Sequence, residues 1–181
     1  AYSVIKNHRG LLLAVPETPG GAEFRIYLPF PGRAEKKREP LKRKTRTGQT
    51  ILFMDDQEDV REVAVKMLEK LGYEVEETVN GQEALEKYRK EHDARHPYAA
   101  VILDLTVPGG MGGVMTAARI RDIDPSARLI VSSGYSNDPV LADYRKYGFS
   151  AVIVKPYQIE QFRDVLNSVL AESSEGGEER D

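Results

Sequence analysis

From Thr50 to about Ala171 the chain alternates between two kinds of apolar segment. Ile51–Met54, Ala99–Leu103, Leu129–Val131 and Ala151–Val154 are short, unbroken runs. Such runs suit strands buried on both faces, as in a parallel sheet. Tyr73–Val79 is a more polar strand candidate. Between the runs the spacing turns helical. Val60, Val63, Ala64, Met67, Leu68 and Leu71 form one stripe at i, i+3, i+4 and i+7. Ile159, Phe162, Val165, Leu166, Val169 and Leu170 form another. Ala84, Leu85 and Tyr88 mark a helix after Asn80–Gly81, and Val114–Ile123 and Val140–Tyr147 supply two less regular ones. The order is βα repeated five times. It predicts a doubly wound α/β fold, a five-stranded parallel sheet with helices on both faces.

In such a sheet, sites form at the carboxyl ends of the strands. The first predicted strand runs into Asp55–Asp56, the third into Asp104, the fourth into Ser132–Ser133 and the fifth into Lys155–Pro156. Three carboxylates, a hydroxyl and an ammonium are thereby expected on one rim. Carboxylates 4 Å apart repel by about 4 kcal/mol per pair at an effective dielectric near 20. The cluster therefore calls for a cation, for protonation, or for a metal and a lysine together. Oxygen ligands without His or Cys favour Mg²⁺.

These positions resemble the receiver domain of bacterial two-component response regulators over about residues 50–171. The resemblance implies a flavodoxin-like sheet of order 2-1-3-4-5, with Asp104 accepting a phosphoryl group from a partner's phosphohistidine. It implies that Asp56 ligates Mg²⁺ directly, Asp55 mainly through water, and Thr106 through its backbone carbonyl. Ser132 would bond a phosphoryl oxygen, Lys155 would pair with the acyl phosphate, and Lys155–Pro156 would be a cis peptide. A downstream histidine phosphotransfer protein and a cytoplasmic setting are implied too. Self-phosphorylation and slow self-hydrolysis are expected, conventional substrate turnover is not. Two departures stand out. Val152 occupies the place where the family usually has Tyr or Phe, with Tyr135 and Tyr157 as possible substitutes. The loop after Asp104 is one residue longer than the family's common form.

Other readings compete. Asp and Ser at strand ends also serve as helix caps or turn formers. A phosphohydrolase of the haloacid-dehalogenase type would need its nucleophile after the first strand and an Asp two residues on, whereas Thr106 stands two residues after Asp104. A pseudo-receiver, signalling by contact without phosphate, draws support from Val152. The Gly-rich stretch Thr106–Gly113 reads as a mobile loop, since it lacks the GxxxxGK[ST] phosphate-binding spacing. His92 and His96 lie in a polar stretch and read as solvated residues.

Composition adds limits. The 181 residues, 40% hydrophobic and 30% charged, fit one ordinary domain plus extras. The absence of cysteine excludes disulfides, thiolate metal sites and a cysteine nucleophile. No apolar run approaches the ~20 residues of a membrane helix. Net charge is −3, but positions 33–46 hold eight basic and two acidic residues. Residues 30–48 read as a basic, solvated linker rather than a nucleic-acid-binding element, because no aromatics interleave the charges. The acidic tail 173–181 is expected to be disordered.

Upstream, Tyr2–His8 reads as a helix end, and Leu11–Val15 and Ala22–Leu28 as two strands. Asn7, His8, Gly10, Pro19, Gly20, Gly21, Phe24, Tyr27, Leu28 and Pro29 resemble the end of the ATP-binding domain of sensor histidine kinases, over residues 1–29. The nucleotide-binding elements of that domain are absent, so ATP binding is not expected here. The chain reads as a piece of something longer. The zones together imply the carboxyl-terminal part of a hybrid histidine kinase, with its receiver at 49–172.

Overall fold

Apolar runs and amphipathic stripes resolve into a strand–helix alternation that begins at Thr50. The structure, a computed structural model, describes residues 5, 11–18, 21–28, 48–134 and 138–171. Two units divide the chain, Ala1–Leu41 and Lys42–Asp181. The first contains an antiparallel hairpin of β1 (Leu11–Thr18) and β2 (Gly21–Tyr27), paired from Leu11↔Tyr27 to Thr18↔Gly21 with an irregularity between Val15 and Thr18. Pairing thus extends past the expected strand ends at Val15 and Ala22. Of the expected helix end Tyr2–His8, only Ile5 is described, helical and buried. The linker up to residue 47, the tail beyond Ala171 and Tyr135 also lie outside the described residues.

The second unit runs β3 (Thr50–Met54), α1 (Glu58–Lys70), β4 (Glu74–Thr78), α2 (Gly81–Asp93), β5 (Ala100–Asp104) and α3 (Gly113–Ile123). It continues with β6 (Leu129–Ser133), a one-turn α4 (Pro139–Ala142), a 3-10 turn (Tyr144–Tyr147), β7 (Ala151–Val154) and α5 (Ile159–Ala171). The five strands form one parallel sheet in the order β4-β3-β5-β6-β7. This is the expected 2-1-3-4-5 arrangement. Every residue of the central strands β5 and β6 is buried. The edge strand β4 carries three glutamates, and charge on an edge discourages pairing with other chains.

Strand alternation divides the core in two. On one face Leu52, Met54, Val101, Leu103, Leu129 and Val131 pack against Ala84, Leu85 and Tyr88 of α2 and Ala117 and Ile120 of α3. On the other, Ile51, Phe53, Ile102, Ile130 and Ile153 meet Ala64 and Leu68 of α1 and Phe162, Leu166 and Val169 of α5.

Two local expectations need correction. Val63 is 46% exposed, because it precedes buried Ala64 by one residue, about 100° around the helix. The single helix expected over Val140–Tyr147 is broken. Asp138 caps its start by accepting the Val140 N–H at 2.9 Å. Asp143 then leaves helical geometry (φ −124°, ψ 35°) and a 3-10 turn finishes at Gly148 in the left-handed region.

Candidate functional site

The carboxyl ends of β3, β5, β6 and β7 bring the charged and hydroxyl residues to one rim. Asp55, immediately past β3, is fully buried and held from several sides. Its N–H donates to the Thr78 carbonyl at 3.1 Å, its Oδ1 accepts the Gln57 N–H at 3.0 Å, and its carbonyl accepts Arg61 Nη1 at 2.8 Å. The short carboxylate bonding backbone two residues on is the usual turn chemistry of Asp. Asp104 ends β5 and is 5% exposed. Lys155 follows β7 and its N–H donates to the Ser133 carbonyl at 2.9 Å. The Lys155–Pro156 peptide is cis.

The Lys155 ammonium bridges two carboxylates, 2.8 Å from Asp104 Oδ1 and 2.6 Å from Asp55 Oδ2. The contact with Asp104 is a well-formed hydrogen bond. Asp55 Oδ2 is close to the ammonium but poorly aligned with it, so it is electrostatically paired without a directed donor. Asp56 Oδ1 is likewise buried and has no hydrogen-bond partner. Among the described residues, Asp55, Asp56 and Asp104 form the one group of three acidic or imidazole side chains whose ligand atoms all lie within 4.8 Å of one another.

Burial pushes the Asp104 carboxyl above its ordinary range, and the negative charges of Asp55 and Asp56 add to the shift against the pull of Lys155. Burial works against the charge of Lys155, yet its hydrogen bond to Asp104 and the adjacent Asp55 carboxylate outweigh it and raise its pKa. The ammonium therefore stays charged, and three carboxylates facing one cation leave the rim net negative. Two buried carboxylate oxygens without directed donors, in an all-oxygen set, fit a hard divalent cation such as Mg²⁺. Thr106 is exposed two residues beyond Asp104, in the loop before α3.

Ser132 is paired in register with Asp104 across β5 and β6, so the two side chains leave the same face of the sheet. Its Oγ is 2.7 Å from the hydroxyl of Tyr157. The Tyr157 ring lies edge-on to Phe53 at 6.1 Å and tilted against Phe162 at 5.0 Å. Val152 packs on the opposite face, with the α2–α3 core. Tyr157 thus does not take the place left by an aromatic at 152. The sequence contained one signal for this contact, an aromatic two residues past Lys155, but nothing that fixed its direction.

Two of the glycines after Asp104 have a packing role. A Cβ on Gly113 would meet the Asp104 carbonyl oxygen at 2.6 Å, and one on Gly112 the Leu105 carbonyl oxygen at 2.7 Å. Only glycine lets the start of α3 approach the end of β5 so closely. His92 and His96 line a cleft with Thr50, Ala99 and Arg128, at the amino ends of the strands and away from Asp104. There His92 Nδ1 is 4.0 Å from Asp124.

Residues 51–167 match the family model for the response regulator receiver domain. The chain is 34% identical over 123 residues to the chemotaxis protein CheY of Thermotoga maritima, covering 67% of this chain and 98% of that one. It is 26% identical to the sensor kinase CckA of Brucella abortus across 93% of its own length, which is 18% of that kinase. Among solved structures it resembles the response regulator protein TrrA from Thermotoga maritima in complex with Mg²⁺-BeF. There the TM-score is 0.59 and identity 29%, over 67% of this chain and 99% of that one. The chain belongs to the response regulator receiver family, the phosphoryl-accepting modules of two-component phosphorelays.

Proposed function

We propose that Asp104 is the phosphoryl acceptor, receiving its phosphoryl group from a kinase phosphohistidine. The observation that carries this reading is the convergence of Asp55, Asp56 and Asp104 within 4.8 Å beside Lys155. In the transfer, a carboxylate oxygen of Asp104 forms the new bond to phosphorus. The P–N bond to the donor imidazole breaks, and its electron pair stays with the histidine. Lys155, already beside Asp104, neutralises charge on the phosphoryl oxygens, and Ser132 supplies a hydroxyl to one of them. Asp56, Asp55, Asp104 and the Thr106 carbonyl would hold Mg²⁺, which when bound offsets the charge of the transferring group.

The parent protein is, in this reading, a hybrid histidine kinase in the cytoplasm, with residues 1–29 closing its ATP-binding domain. The likeness to CckA reaches across both units of the chain, which supports this arrangement. So does the hairpin. Leu11, Leu13 and Tyr27 are exposed on one of its faces, and Phe24 and Ile26 on the other. A two-stranded ribbon cannot bury apolar residues on both faces by itself. The phosphoryl group would then pass to a downstream histidine phosphotransfer protein. The test is transfer of ³²P from a phosphorylated kinase histidine to this chain and onward. Label moving to wild type but not to Asp104→Asn is expected, and equal labelling of both would overturn the assignment.

A further inference from the structure

We infer that Arg61 is a positioning residue for the carboxylate of Asp56, acting through the peptide that joins Asp55 to Asp56. This rests on the acidic rim holding Mg²⁺. Asp56 Oδ1 is buried and has no hydrogen-bond partner, so its place depends on the backbone that carries it. That backbone is held on both sides of Asp55. The Asp55 N–H donates to the Thr78 carbonyl at 3.1 Å, and its carbonyl accepts Arg61 Nη1 at 2.8 Å. The peptide unit is planar, so fixing the Asp55 carbonyl also fixes the Asp56 nitrogen. Asp55 is fully buried, and a buried carbonyl needs a donor, which Arg61 supplies.

Helix α1 delivers that donor by its geometry. Arg61 closes the first turn, its N–H donating to the Gln57 carbonyl at 3.0 Å. Helical side chains lean toward the amino terminus, so its long stem reaches back to a residue six positions earlier. While Nη1 meets Asp55, Nε lies 3.7 Å from Glu77 Oε2 on the neighbouring strand β4. The Arg61 side chain is only 13% exposed, which leaves it little room to swing away. Gln57 gives α1 no side-chain cap, and the turn into the helix is held by Arg61 and the Asp55 carboxylate instead. Charge alone argues the other way. A guanidinium beside three carboxylates offsets the attraction that draws in a divalent cation. Position and charge therefore predict opposite effects when Arg61 is removed.

The experiment compares Mg²⁺ and Ca²⁺ affinities of wild type and Arg61→Met by calorimetric titration of the full chain, with a thermal melt of each protein. Mg²⁺ demands near-octahedral ligands at short range, whereas Ca²⁺ tolerates irregular ones. Arg61→Met keeps an unbranched apolar stem and loses the donor and the charge. It is expected to weaken Mg²⁺ binding roughly three- to tenfold while leaving Ca²⁺ affinity within about twofold. Tighter binding of both ions would show that charge alone matters and would overturn the inference. So would an unchanged Mg²⁺ affinity, or an equal loss for both ions, the mark of a merely structural bond. If Arg61→Met does not fold, Arg61→Gln is read by the same ratio of affinities, and a wild-type ratio there overturns the inference too. Wild type that fails to bind Mg²⁺ would instead remove the metal-site reading, and this inference with it.

Discussion

Lys155 and Asp104 lie 51 positions apart in the chain and meet through a 2.8 Å hydrogen bond. The same ammonium reaches Asp55 at 2.6 Å, so one cation ties together the ends of β3, β5 and β7. Breaking a buried pair from one side leaves charge unpaired. Lys155→Met is expected to cost on the order of 3 kcal/mol in the metal-free protein. Mg²⁺ should restore part of that loss, because the carboxylates that bind it remain. Urea denaturation with and without Mg²⁺ measures both quantities, and a variant as stable as wild type without metal would contradict the role of the bridge.

The pH dependence follows from the direction of the Asp104 shift. Its pKa in the folded state is raised above the ordinary 3.8. Stability from its neutral form is therefore full below pH 3.8 and is lost as pH rises through the higher folded value. Asp104→Asn stays neutral throughout. Metal-free Asp104→Asn should thus gain on wild type as pH climbs out of the acid range, with the gap levelling near neutrality. Lys155 behaves alike at the other end of the scale. Its contribution is complete below 10.5 and disappears as pH rises through a still higher value. A stability gap between wild type and Asp104→Asn that does not change from pH 4 to 7 would contradict this.

Much of this arrangement is written in the sequence, and the reasons differ by residue. Unbroken runs such as Ile51–Met54 locate buried strands because both faces of a central strand must be apolar. The acidic and basic residues then fall at strand ends by simple counting. Period alone does not tell where a hydroxyl points. Ser132 and Ser133 read as the end of a strand and do end β6, but the pattern does not say that both are buried there. The Ser132–Tyr157 contact depends on how β6 and the loop after β7 are placed in space. The break at Asp143 was hidden for another reason, since Val140, Leu141 and Tyr144 keep helical spacing across it and pack on one core.

Close packing beneath Asp104 is testable through Gly113. A Cβ there would lie 2.6 Å from the Asp104 carbonyl oxygen, which is backbone and has little room to move. Gly113→Ala is expected to destabilise by about 1–3 kcal/mol, the range for forcing extra volume into a packed site. Chemical denaturation checks the value, and an unchanged midpoint would show that α3 can move away without cost.

Away from the site, Tyr88 ties α2 to the turn after α3 by donating to Asp124 at 2.7 Å. The ring is 2% exposed, so its hydroxyl has little access to water as an alternative partner. Tyr88→Phe leaves the ring packing intact and should cost about 1–3 kcal/mol, as for a hydrogen bond to a charged group. It should leave Mg²⁺ affinity unaltered, because Asp124 borders the cleft at the far end of the strands. A calorimetric melt and a Mg²⁺ titration of the same sample check the two halves of the prediction.

Mg²⁺ itself should stabilise the fold by mass action, about 2.7 kcal/mol at a hundred times its dissociation constant. Asp56→Asn should remove most of that gain while leaving the metal-free fold intact, since Asp56 Oδ1 has no hydrogen bond to lose. Thermal melts across a Mg²⁺ series check it, and an Asp56→Asn response equal to that of wild type would place the ion elsewhere.

Chemical labelling decides the central matter. Incubated with acetyl phosphate and Mg²⁺, the protein should acquire one phosphoryl group, removed by hydroxylamine as an acyl phosphate is and mapped by mass spectrometry to Asp104. Asp104→Asn should acquire none. Undiminished hydroxylamine-sensitive labelling of that variant, or a label mapped to another side chain of wild type, would contradict the account.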